Sequence, residues 1–396
     1  MDTIEPSPFL DVLRAAKAVE ARGDEVLYLS MGEPDFATPT HICDAAVDAI
    51  RTGQTRYTAM DGTPALKAAI ANKLERDNNL SYAPDEITVT LGGTQGIFNA
   101  MLATVGPGDE VILPAPYFPP YVSAITLAGG TPVIVETNEA DQFTLAAARL
   151  DEAITDRTRW LILNSPSNPA GATLTADQLG EIADVVRRHR HVAVFSDDIY
   201  ESVTYGEEPF KNLVNVAPDL RDRTVILNGV SKAYAMTGWR VGYLAGPAPL
   251  IEATSQISAT STFTPCSITQ AGAVEALNAS QELLDIQLAM YSTRRDLLVD
   301  RLTAIDRITL SRPNGAFYMF PSCNQFFGST TPSGTTIKTD LDFVHHVLDS
   351  VAVATVQGSA FGTPGHFRIS YAADTDTLIE AMERLDKACR QLTPQR

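Results

Sequence analysis

The sequence contains few of the residues that build disulfide frameworks or metal centres. Its 396 residues include four cysteines and six histidines; the cysteines form no CxxC pair, and the only adjacent histidines are His345 and His346. Scattered cysteines of this kind disfavour both a set of disulfides and a zinc site, and they fit a reducing compartment. We therefore expect a cytoplasmic protein without a metal centre.

An excess of basic residues and long apolar runs are also missing. The 30 lysines and arginines are outnumbered by 48 aspartates and glutamates, which gives a net charge of −18. This charge opposes binding to nucleic acids and to anionic membrane surfaces. No apolar run reaches the roughly eighteen residues of a membrane-spanning helix, and the N-terminus lacks the apolar core of a signal peptide. The sequence thus predicts no nucleic-acid partner and no membrane association.

Short apolar runs do alternate with helical segments between residues 85 and 246. The runs are EITVT, EVILPAP, TPVIVE, RWLILNSP, VAVFSDD, TVILNGVSK and VGYLAG. Runs of β-branched and aliphatic residues without polar alternation are typical of strands buried on both faces. Their alternation with helices indicates an α/β fold with a doubly wound, mostly parallel sheet, in which ligands bind at the carboxyl ends of the strands.

The rest of the chain has a different pattern. Residues 280–305 predict a long helix that leads to a second unit, where short strands mix with helices in an α+β arrangement. We predict an N-terminal arm with part of the small domain over residues 1–40, a large domain over 41–285 and a small domain over 286–396. The polar stretch 326–340 is expected to form an exposed loop.

A glycine turn follows the first of these strands, in the segment LGGTQGIFNAM. Gly93 and Thr94 lie there at the expected start of a helix. Free backbone N–H groups and the helix dipole favour a phosphate at such a position, and glycine lets the backbone approach the ligand. The alternative is a plain tight turn in which Thr94 caps the helix.

Polar side chains also follow two later strands. Asn168 precedes a proline in NSPSNPAG and is therefore held extended, so its amide can face a ligand or bond its own backbone. Asp197 and Tyr200 lie at the end of the strand in VAVFSDDIYE. A buried carboxylate at that position needs a cation or a hydrogen-bond donor, such as a protonated ring nitrogen. The alternative is a helix N-cap, which suits Ser196, Asp197 or Asp198.

Lys232 and Arg240 follow the strand TVILNGV, and Arg368 lies in the short apolar strand of HFRISYA. Burial and neighbouring cations would lower the pKa of the lysine, and a neutral amine can form a Schiff base. The planar fork of Arg240 suits a phosphate. The alternatives are that Lys232 reaches the surface and that Arg240 pairs with an acidic residue. Arg368 either has an acidic partner or binds a carboxylate ligand.

The order and spacing of these sites resemble the class I (fold type I) aminotransferases that depend on pyridoxal 5'-phosphate (PLP), in the bacterial branch near the aspartate and aromatic aminotransferases. The resemblance covers nearly the whole chain. The motifs that carry it are LSMGEPDFATP, TRYTAMDGTPALKAAI, LGGTQGIF, PAPYFPPY, NSPSNPAG, SDDIYE, SKAYAMTGWRVGY and FRISYA. The resemblance implies that the large domain binds PLP.

It also implies a catalytic group of Lys232, Asp197 and Tyr200. Lys232 would bind PLP as a Schiff base and then act as the general base between the substrate α-carbon and cofactor C4′. Asp197 would pair with the pyridinium nitrogen and keep it protonated, so that the ring acts as an electron sink. Tyr200 and Asn168 would hydrogen-bond the ring phenolate oxygen, and Tyr117 would stack on the ring.

Further residues would bind the phosphate and the substrate. The phosphate group would be held by Gly93, Thr94, Ser231, Arg240 and, from a partner subunit, Tyr57. The substrate would be bound by Gly32, Tyr117, Asn168 and Arg368. Arg368 would take the α-carboxylate, and the contribution of Tyr57 implies a homodimer with shared active sites.

The reaction implied is ping-pong transfer of an amino group from an L-amino acid to a 2-oxo acid. One candidate pair is aspartate with 2-oxoglutarate. Some aspartate-specific relatives carry a second cation in the glycine turn, where this chain has Thr94. Others carry it in the segment that matches SATSTFTPC, which has no basic residue here. A neutral or aromatic donor therefore stays open, as does a carbon–sulfur β-lyase that uses the same cofactor.

A regulator with an aminotransferase-like domain is the alternative from another class. The acidic chain, which starts directly with the predicted arm, gives that alternative little support.

Overall fold

A computed structural model describes residues 8–206 and 208–394, so that the first seven residues of the predicted arm lie outside the described residues. The helices are α1 (Pro8–Glu20), α2 (Thr40–Arg51), α3 (Pro64–Asn78), α4 (Gly93–Thr104), α5 (Pro120–Leu127), α6 (Ala147–Ala153), α7 (Ala176–Arg188), α8 (Leu213–Val216), α9 (Val230–Ala233), α10 (Ala248–Ser261), α11 (Ser267–Asn278), α12 (Glu282–Thr303), α13 (Asp340–Val351) and α14 (Thr375–Gln391). Over the ranges described, none of these helices is both long and apolar enough to cross a membrane.

The strands are β1 (Leu27–Tyr28), β2 (Ile87–Thr90), β3 (Glu110–Ala115), β4 (Thr131–Glu136), β5 (Thr158–Asn164), β6 (Ala193–Asp197), β7 (Thr224–Gly229), β8 (Gly242–Ala245), β9 (Tyr318–Met319), β10 (Val353–Ala354), β11 (Val356–Gln357) and β12 (Phe367–Ser370). Short 3-10 helices cover Pro84–Glu86, Pro218–Arg223, Thr237–Trp239, Asn324–Phe326 and Gly358–Phe361.

A seven-stranded sheet in the order β2-β8-β7-β6-β5-β3-β4 forms the centre of the fold. Its strands run parallel except for β8, which pairs antiparallel with β2 and β7. Helices cover both faces of the sheet. Successive side chains of a strand point to opposite faces, so an uninterrupted apolar strand places apolar side chains on both. On β3, Val111 and Leu113 pack with α4 and α5, whereas Ile112 packs with α7. The predicted α/β fold with a mostly parallel sheet is therefore confirmed.

Strand β4 differs from the prediction that every apolar run is buried on both faces. It is the last strand of the sheet, and Thr131, Ile134 and Glu136 are exposed along it. An edge strand has a neighbour on one side only, so the apolar run TPVIVE could be recognised as a strand but not as an edge.

A second group of strands and helices follows the large sheet. Strands β11, β12 and β9 form an antiparallel sheet, and β1 pairs with β10. Leu27 and Leu29 near β1 share a hydrophobic core with side chains of α12, α13 and α14. The N-terminal segment thus packs with the C-terminal part of the chain; the exact domain boundaries at residues 40 and 285 stay a prediction.

The stretch 326–340 is less exposed than predicted. Ser329, Thr331 and Ile337 are buried. Backbone hydrogen bonds from Gly328 to Ile337 and from Ile337 to Ser329 close the stretch on itself. The polar composition of this stretch predicted exposure to solvent, but its turn places the side chain of Ile337 in the hydrophobic core.

The carboxyl ends of the central strands meet in register. Asn164 on β5 lies beside Asp197 on β6, and Asp197 lies beside Leu227 on β7. The short segment from the end of β7 to α9 then carries Ser231 and Lys232 across the same edge. This edge of the sheet is where the candidate site lies.

Candidate active site

A cavity of about 270 Å³ opens at the carboxyl edge of the sheet, between β5–β7, the start of α4 and β12. It brings together most of the side chains that the sequence singled out. The predicted residues in its lining are Gly32, Gly93, Thr94, Asn168, Asp197, Tyr200, Ser231, Lys232, Arg240 and Arg368. Tyr57 and Tyr117 are not part of this lining.

Lys232 points into the cavity rather than to the surface. Its Nζ donates a hydrogen bond of 2.5 Å to the backbone oxygen of Gly32. Burial, together with the positive charges of Arg368 and Arg240, lowers the pKa of the amine to about 8, while Glu33 and Asp197 act against this lowering. The surface-lysine alternative is therefore wrong. A substantial fraction of this amine is neutral near pH 8 and can act as a nucleophile.

Asp197 is buried at the end of β6, with 4% of its surface exposed. Its Oδ2 accepts a hydrogen bond of 2.6 Å from the hydroxyl of Tyr121, and its Oδ1 accepts one of 3.2 Å from the backbone N–H of Ile199. Burial raises the pKa of the carboxyl to about 6, although these hydrogen bonds oppose the rise. A turn, not an α-helix, follows Asp197, so the helix-cap alternative fails. A carboxylate in this position would bind a cationic group strongly.

Tyr121 was not singled out by the sequence. It lies near the start of α5 in PYFPPY, is fully buried, and would have read as an ordinary core aromatic. Its position just after the end of β3, beside the other strand ends, is the signal that could have found it.

The start of α4 and Arg240 form an anion cradle. Gly92 precedes the helix at φ 78°, a left-handed conformation, and a Cβ there would collide with the Arg240 guanidinium. The N-cap residue of α4 is Gly92, and no side chain among the described residues caps the helix. Thr94 lies inside the helix, so it does not have the capping role that was its alternative. The first N–H groups of α4 and the helix dipole add to the positive charge.

The guanidinium of Arg240 is not neutralised by an acidic residue. It donates hydrogen bonds to the backbone oxygens of Thr237, at 2.8 Å, and Leu91, at 3.4 Å. In the part of the chain that the structure describes, no carboxylate lies within ion-pair distance of it, so the acidic-partner alternative fails. Ser231 lies nearby in the cavity lining. Together these groups suit a phosphate dianion.

Arg368 is the most deeply buried cation of the cavity, with 1% of its surface exposed. It donates to Asn168 Oδ1 at 2.9 Å and to the backbone oxygen of Ser30 at 2.5 Å, and its Nε has no partner in the part of the chain that the structure describes. Within residues 8–206 and 208–394, no carboxylate pairs with it. The internal ion-pair alternative is therefore wrong. A buried guanidinium with free donor positions is arranged to receive a carboxylate ligand.

Comparison with known proteins identifies the family. The sequence model of aminotransferase class I and II matches residues 24–385. This chain belongs to that family.

Two similar proteins and one solved structure extend the match over the whole chain. The aminotransferase is 46% identical over 393 residues to the aspartate aminotransferase of Rhizobium meliloti (strain 1021), covering 99% of this chain and 96% of that protein. It is 46% identical over 389 residues to a probable aspartate/prephenate aminotransferase of Rhizobium leguminosarum bv. phaseoli, covering 98% and 97% of the two chains. The crystal structure of the Rhizobium meliloti aspartate aminotransferase superposes with a TM-score of 0.96 at 46% identity, covering 99% and 98%.

The aminotransferase uses PLP as its cofactor, and its acceptors and donors are 2-oxo acids and amino acids. The residues of the cavity fit PLP. An aldehyde needs an amine of lowered pKa, which Lys232 provides. A phosphate needs an anion cradle without a competing carboxylate, which Arg240 and the start of α4 provide. A pyridinium nitrogen needs a buried carboxylate, which Asp197 provides.

Two tyrosines in the cavity lining of the aminotransferase are joined through their hydroxyl groups. Tyr200 and Tyr318 lie with their oxygens 2.6 Å apart, and both are buried. Burial raises the pKa of Tyr200 well above its usual value, so its hydroxyl stays neutral and can donate. Tyr318 comes from β9, far along the sequence, and the sequence analysis did not find it.

The prediction for Tyr117 needs a correction. Phe118, its neighbour, lines the main cavity, whereas Tyr117 lines a smaller adjacent cavity and lies against Gly362. The loop between β3 and α5 is irregular, so the motif located the segment but not the side chain that faces the cavity.

Tyr57 lies on the surface of the aminotransferase. It is 83% exposed and contacts Phe263 edge to face, with ring centroids 5.0 Å apart. Its predicted contribution to the site of a partner subunit stays a prediction.

Proposed function

We propose that this aminotransferase moves the amino group of L-aspartate to 2-oxoglutarate. The observation that carries the proposal is the pairing of Arg368, a buried arginine without an acidic partner, with Lys232, an amine of lowered pKa, in one cavity. The first group suits an α-carboxylate and the second suits the chemistry at the adjacent α-carbon. Support for aspartate comes from the similar proteins, which are named aspartate or aspartate/prephenate aminotransferases.

In this proposal different residues of the cavity bind different groups of PLP. Lys232 holds PLP covalently, and Asp197 keeps the ring nitrogen protonated. Tyr200 and Asn168 hydrogen-bond the ring oxygen. The phosphate is held by Gly93, Thr94, Ser231 and Arg240. PLP when bound supplies an electron sink for the electrons of the substrate α-carbon.

Phe118 takes the stacking role that was expected of Tyr117. Its presence in the lining of the main cavity supports this assignment. A phenyl ring offers the same flat apolar surface to the cofactor, without a hydroxyl that would need a partner.

The substrate is held at its α-carboxylate and reacts beside it. The Arg368 fork binds the carboxylate, Asn168 holds one arm of that fork, and the backbone of Gly32 closes over the substrate. Lys232 Nζ would act as the general base that moves the proton between the substrate α-carbon and the cofactor. Its hydrogen bond to the Gly32 oxygen supports the proximity of these two groups.

A neutral or aromatic donor is the second candidate. The cations in the described lining are Lys232, Arg240 and Arg368, and each already has a role in the proposal. The rest of this described lining carries no further cation, and six of its residues are apolar: Phe9, Met31, Ile97, Phe118, Ile199 and Leu227. These walls favour an apolar side chain over a second carboxylate.

We also propose a homodimer in which Tyr57 of one subunit reaches the phosphate of the other, and a cytoplasmic location. The 83% exposure of this aromatic residue, which lies outside its own cavity lining, supports the first part. The scattered, unpaired cysteines support the second.

The test is a half-reaction. The PLP-loaded enzyme is mixed with L-aspartate, L-phenylalanine or L-alanine without an acceptor, and the oxo acid formed is counted per site. We expect one equivalent of oxaloacetate from aspartate, formed faster than either other oxo acid. Faster phenylpyruvate formation would replace aspartate with an aromatic donor. Pyruvate and ammonia from a cysteine conjugate without an acceptor would indicate the β-lyase instead.

Lys232→Ala tests the reaction centre in the same assay. The variant should lose the near-visible absorbance of lysine-bound PLP and form no oxo acid. Lys211→Ala, at an exposed lysine, serves as the matched control and should behave as wild type. Retained absorbance and turnover in Lys232→Ala would refute the assignment of this lysine.

A further inference from the structure

Three aromatic rings surround the Arg368 guanidinium. Its central carbon lies 4.7 Å from the ring centroid of Tyr318, 5.0 Å from that of Phe9 and 5.1 Å from that of Phe361. Phe9 and Phe361 also contact each other edge to face, with centroids 6.0 Å apart. We call Phe9, Tyr318 and Phe361 the aromatic cage.

The cage is assembled from three separate parts of the chain. Tyr318 lies on β9, which pairs antiparallel with the Arg368 strand, β12. Because Tyr318 is opposite Ser370, it is a diagonal neighbour of Arg368 on the same face of the sheet. Phe361 ends the 3-10 helix just before β12, and Phe9 reaches over from α1. The N-terminal helix thus contributes directly to the surroundings of this arginine.

A guanidinium as buried as Arg368 needs compensation for its lost hydration. Its two protein acceptors, the backbone oxygen of Ser30 and the amide oxygen of Asn168, are both neutral. The faces of aromatic rings attract cations within about 6 Å, and they do so more strongly when water is excluded. Burial lowers the pKa of Arg368 and so disfavours its charged form, while Tyr318 and Tyr200 act against this effect.

Aromatic rings and carboxylates differ in which N–H groups of a guanidinium they leave free for a ligand. A carboxylate that compensated this charge would occupy the hydrogen-bonding edge of the guanidinium and compete with the substrate. Rings attract the cation through their faces and leave the N–H groups available. The unpartnered Nε of Arg368 is consistent with such an arrangement.

We propose that the aromatic cage is a set of positioning residues that keeps Arg368 charged and aimed into the cavity without a competing carboxylate. The proposal rests on the proposed role of Arg368 in binding the substrate carboxylate. The cage acts through Arg368, so its loss should weaken carboxylate binding more than it weakens PLP binding.

The test measures the dissociation constants of two acids that cannot react, maleate and 3-phenylpropionate, on the PLP-loaded enzyme by calorimetry. Tyr318→Leu and Phe361→Leu should each weaken binding of the better acid about tenfold, which is the loss expected for one desolvated cation–ring contact. Tyr318→Phe keeps the ring and should stay within about twofold of wild type. The affinity for PLP should change less than the affinity for the acid in every variant.

Phe326→Leu is the matched control. Phe326 is a fully buried ring whose centroid lies 4.2 Å from the guanidinium carbon of Arg307, and neither residue is part of the cavity lining. This variant loses a comparable cation–ring contact. It should lower the stability of the protein without weakening the binding of either acid. Phe9→Leu, at a half-buried position, provides the measurement if a core variant does not fold.

The cage proposal would be overturned if the dissociation constants of the acids stayed within about twofold of wild type in all three cage variants, Phe9→Leu, Tyr318→Leu and Phe361→Leu. So would the absence of any acid binding to the wild-type enzyme, because Arg368 would then not be a carboxylate site. The outcome is separable from the proposed function. An enzyme that forms no oxo acid but shows the tenfold losses supports the cage and refutes the reaction.

Discussion

Two buried arginines in this molecule, Arg294 and Arg368, have opposite surroundings. Arg294 on α12 makes a two-pronged ion pair with Asp35, with both N–O distances at 2.8 Å. Arg368 on β12 has no carboxylate partner among the residues described. Both contact aromatic rings, but those around Arg294 are more distant, at 5.7 and 5.9 Å.

The difference separates a structural arginine from one that is available to a ligand. Asp35 lies in the same segment as Gly32, so the Arg294 pair ties that segment to α12. Arg368 instead ends in an open cavity beside Lys232. Aromatic contacts alone do not distinguish the two, since both have them; the presence or absence of a carboxylate does.

The largest expected effect comes from Arg368→Gln. This change removes a forked, charge-assisted contact with the substrate carboxylate, and kcat/KM should fall about 1,000-fold. The free energy of unfolding should change by less than about 1 kcal/mol, because no protein carboxylate loses a partner. Steady-state kinetics and denaturant unfolding check both parts. A loss below about tenfold in kcat/KM would place the carboxylate elsewhere.

Arg294→Gln should show the reverse pattern. It leaves Asp35 without its cation, and the free energy of unfolding should fall by about 3 kcal/mol. Activity per folded molecule should fall by less than about tenfold, because Arg294 is not part of the cavity lining. The double variant Asp35→Asn/Arg294→Gln is the control and should recover part of the stability. An enzyme as stable as wild type but inactive would reverse the roles of the two arginines.

The comparison extends to two carboxylates. Asp35 pairs with an arginine, whereas the partners of the Asp197 carboxylate among the described residues are the Tyr121 hydroxyl and a backbone N–H. Tyr121→Phe removes a hydrogen bond to a charged group, so the dissociation constant of PLP should rise about tenfold. Spectroscopic PLP titration measures it. Tyr243→Phe, at a buried hydroxyl that has no hydrogen-bond partner among the described residues, is the control and should leave the value unchanged. Equal PLP affinities in the two variants would remove Tyr121 from the site.

The smallest effect concerns the pKa of Lys232. The Arg368 charge lowers this pKa, whereas Arg294 is not among its causes. The rate at which the apoenzyme rebinds PLP should rise with pH and level off above about 8 in wild type and in Arg294→Gln. In Arg368→Gln the midpoint should move to higher pH, because a neighbouring positive charge that favours the neutral amine is gone. An unchanged midpoint would mean that the two groups do not interact.

The sequence predicted the central sheet and the principal charged groups of the site. Lys232 and Asp197 lie just after or at the end of apolar strands of the large sheet, and parallel strands bring their carboxyl ends together. Arg368 lies in an apolar strand of the smaller antiparallel sheet, so its charge in an apolar run was the signal that identified it. That reasoning needs only strand order and the alternation of elements. It also located the glycine turn before α4.

The surroundings of these groups were beyond sequence reasoning. Phe9 and Phe361 come from a terminal helix and a short turn, and no spacing rule connects either with Arg368. Tyr117 and Phe118 are adjacent, and in an irregular loop the direction of each side chain depends on tertiary packing. Whether an arginine has an acidic partner is likewise set by contacts distant in sequence, as Asp35 and Arg294 illustrate.

The most direct test of the account compares maleate and 3-phenylpropionate binding to the PLP-loaded Arg368→Gln and Arg294→Gln enzymes. Calorimetry on both variants and wild type gives the dissociation constants. We predict that Arg368→Gln raises the dissociation constant of the tighter-binding acid at least about 100-fold. In Arg294→Gln this constant should stay within about threefold of the wild-type value. Equal losses in the two variants, or a larger loss in Arg294→Gln, would contradict the claim that the arginine without a carboxylate partner is the one that binds the substrate.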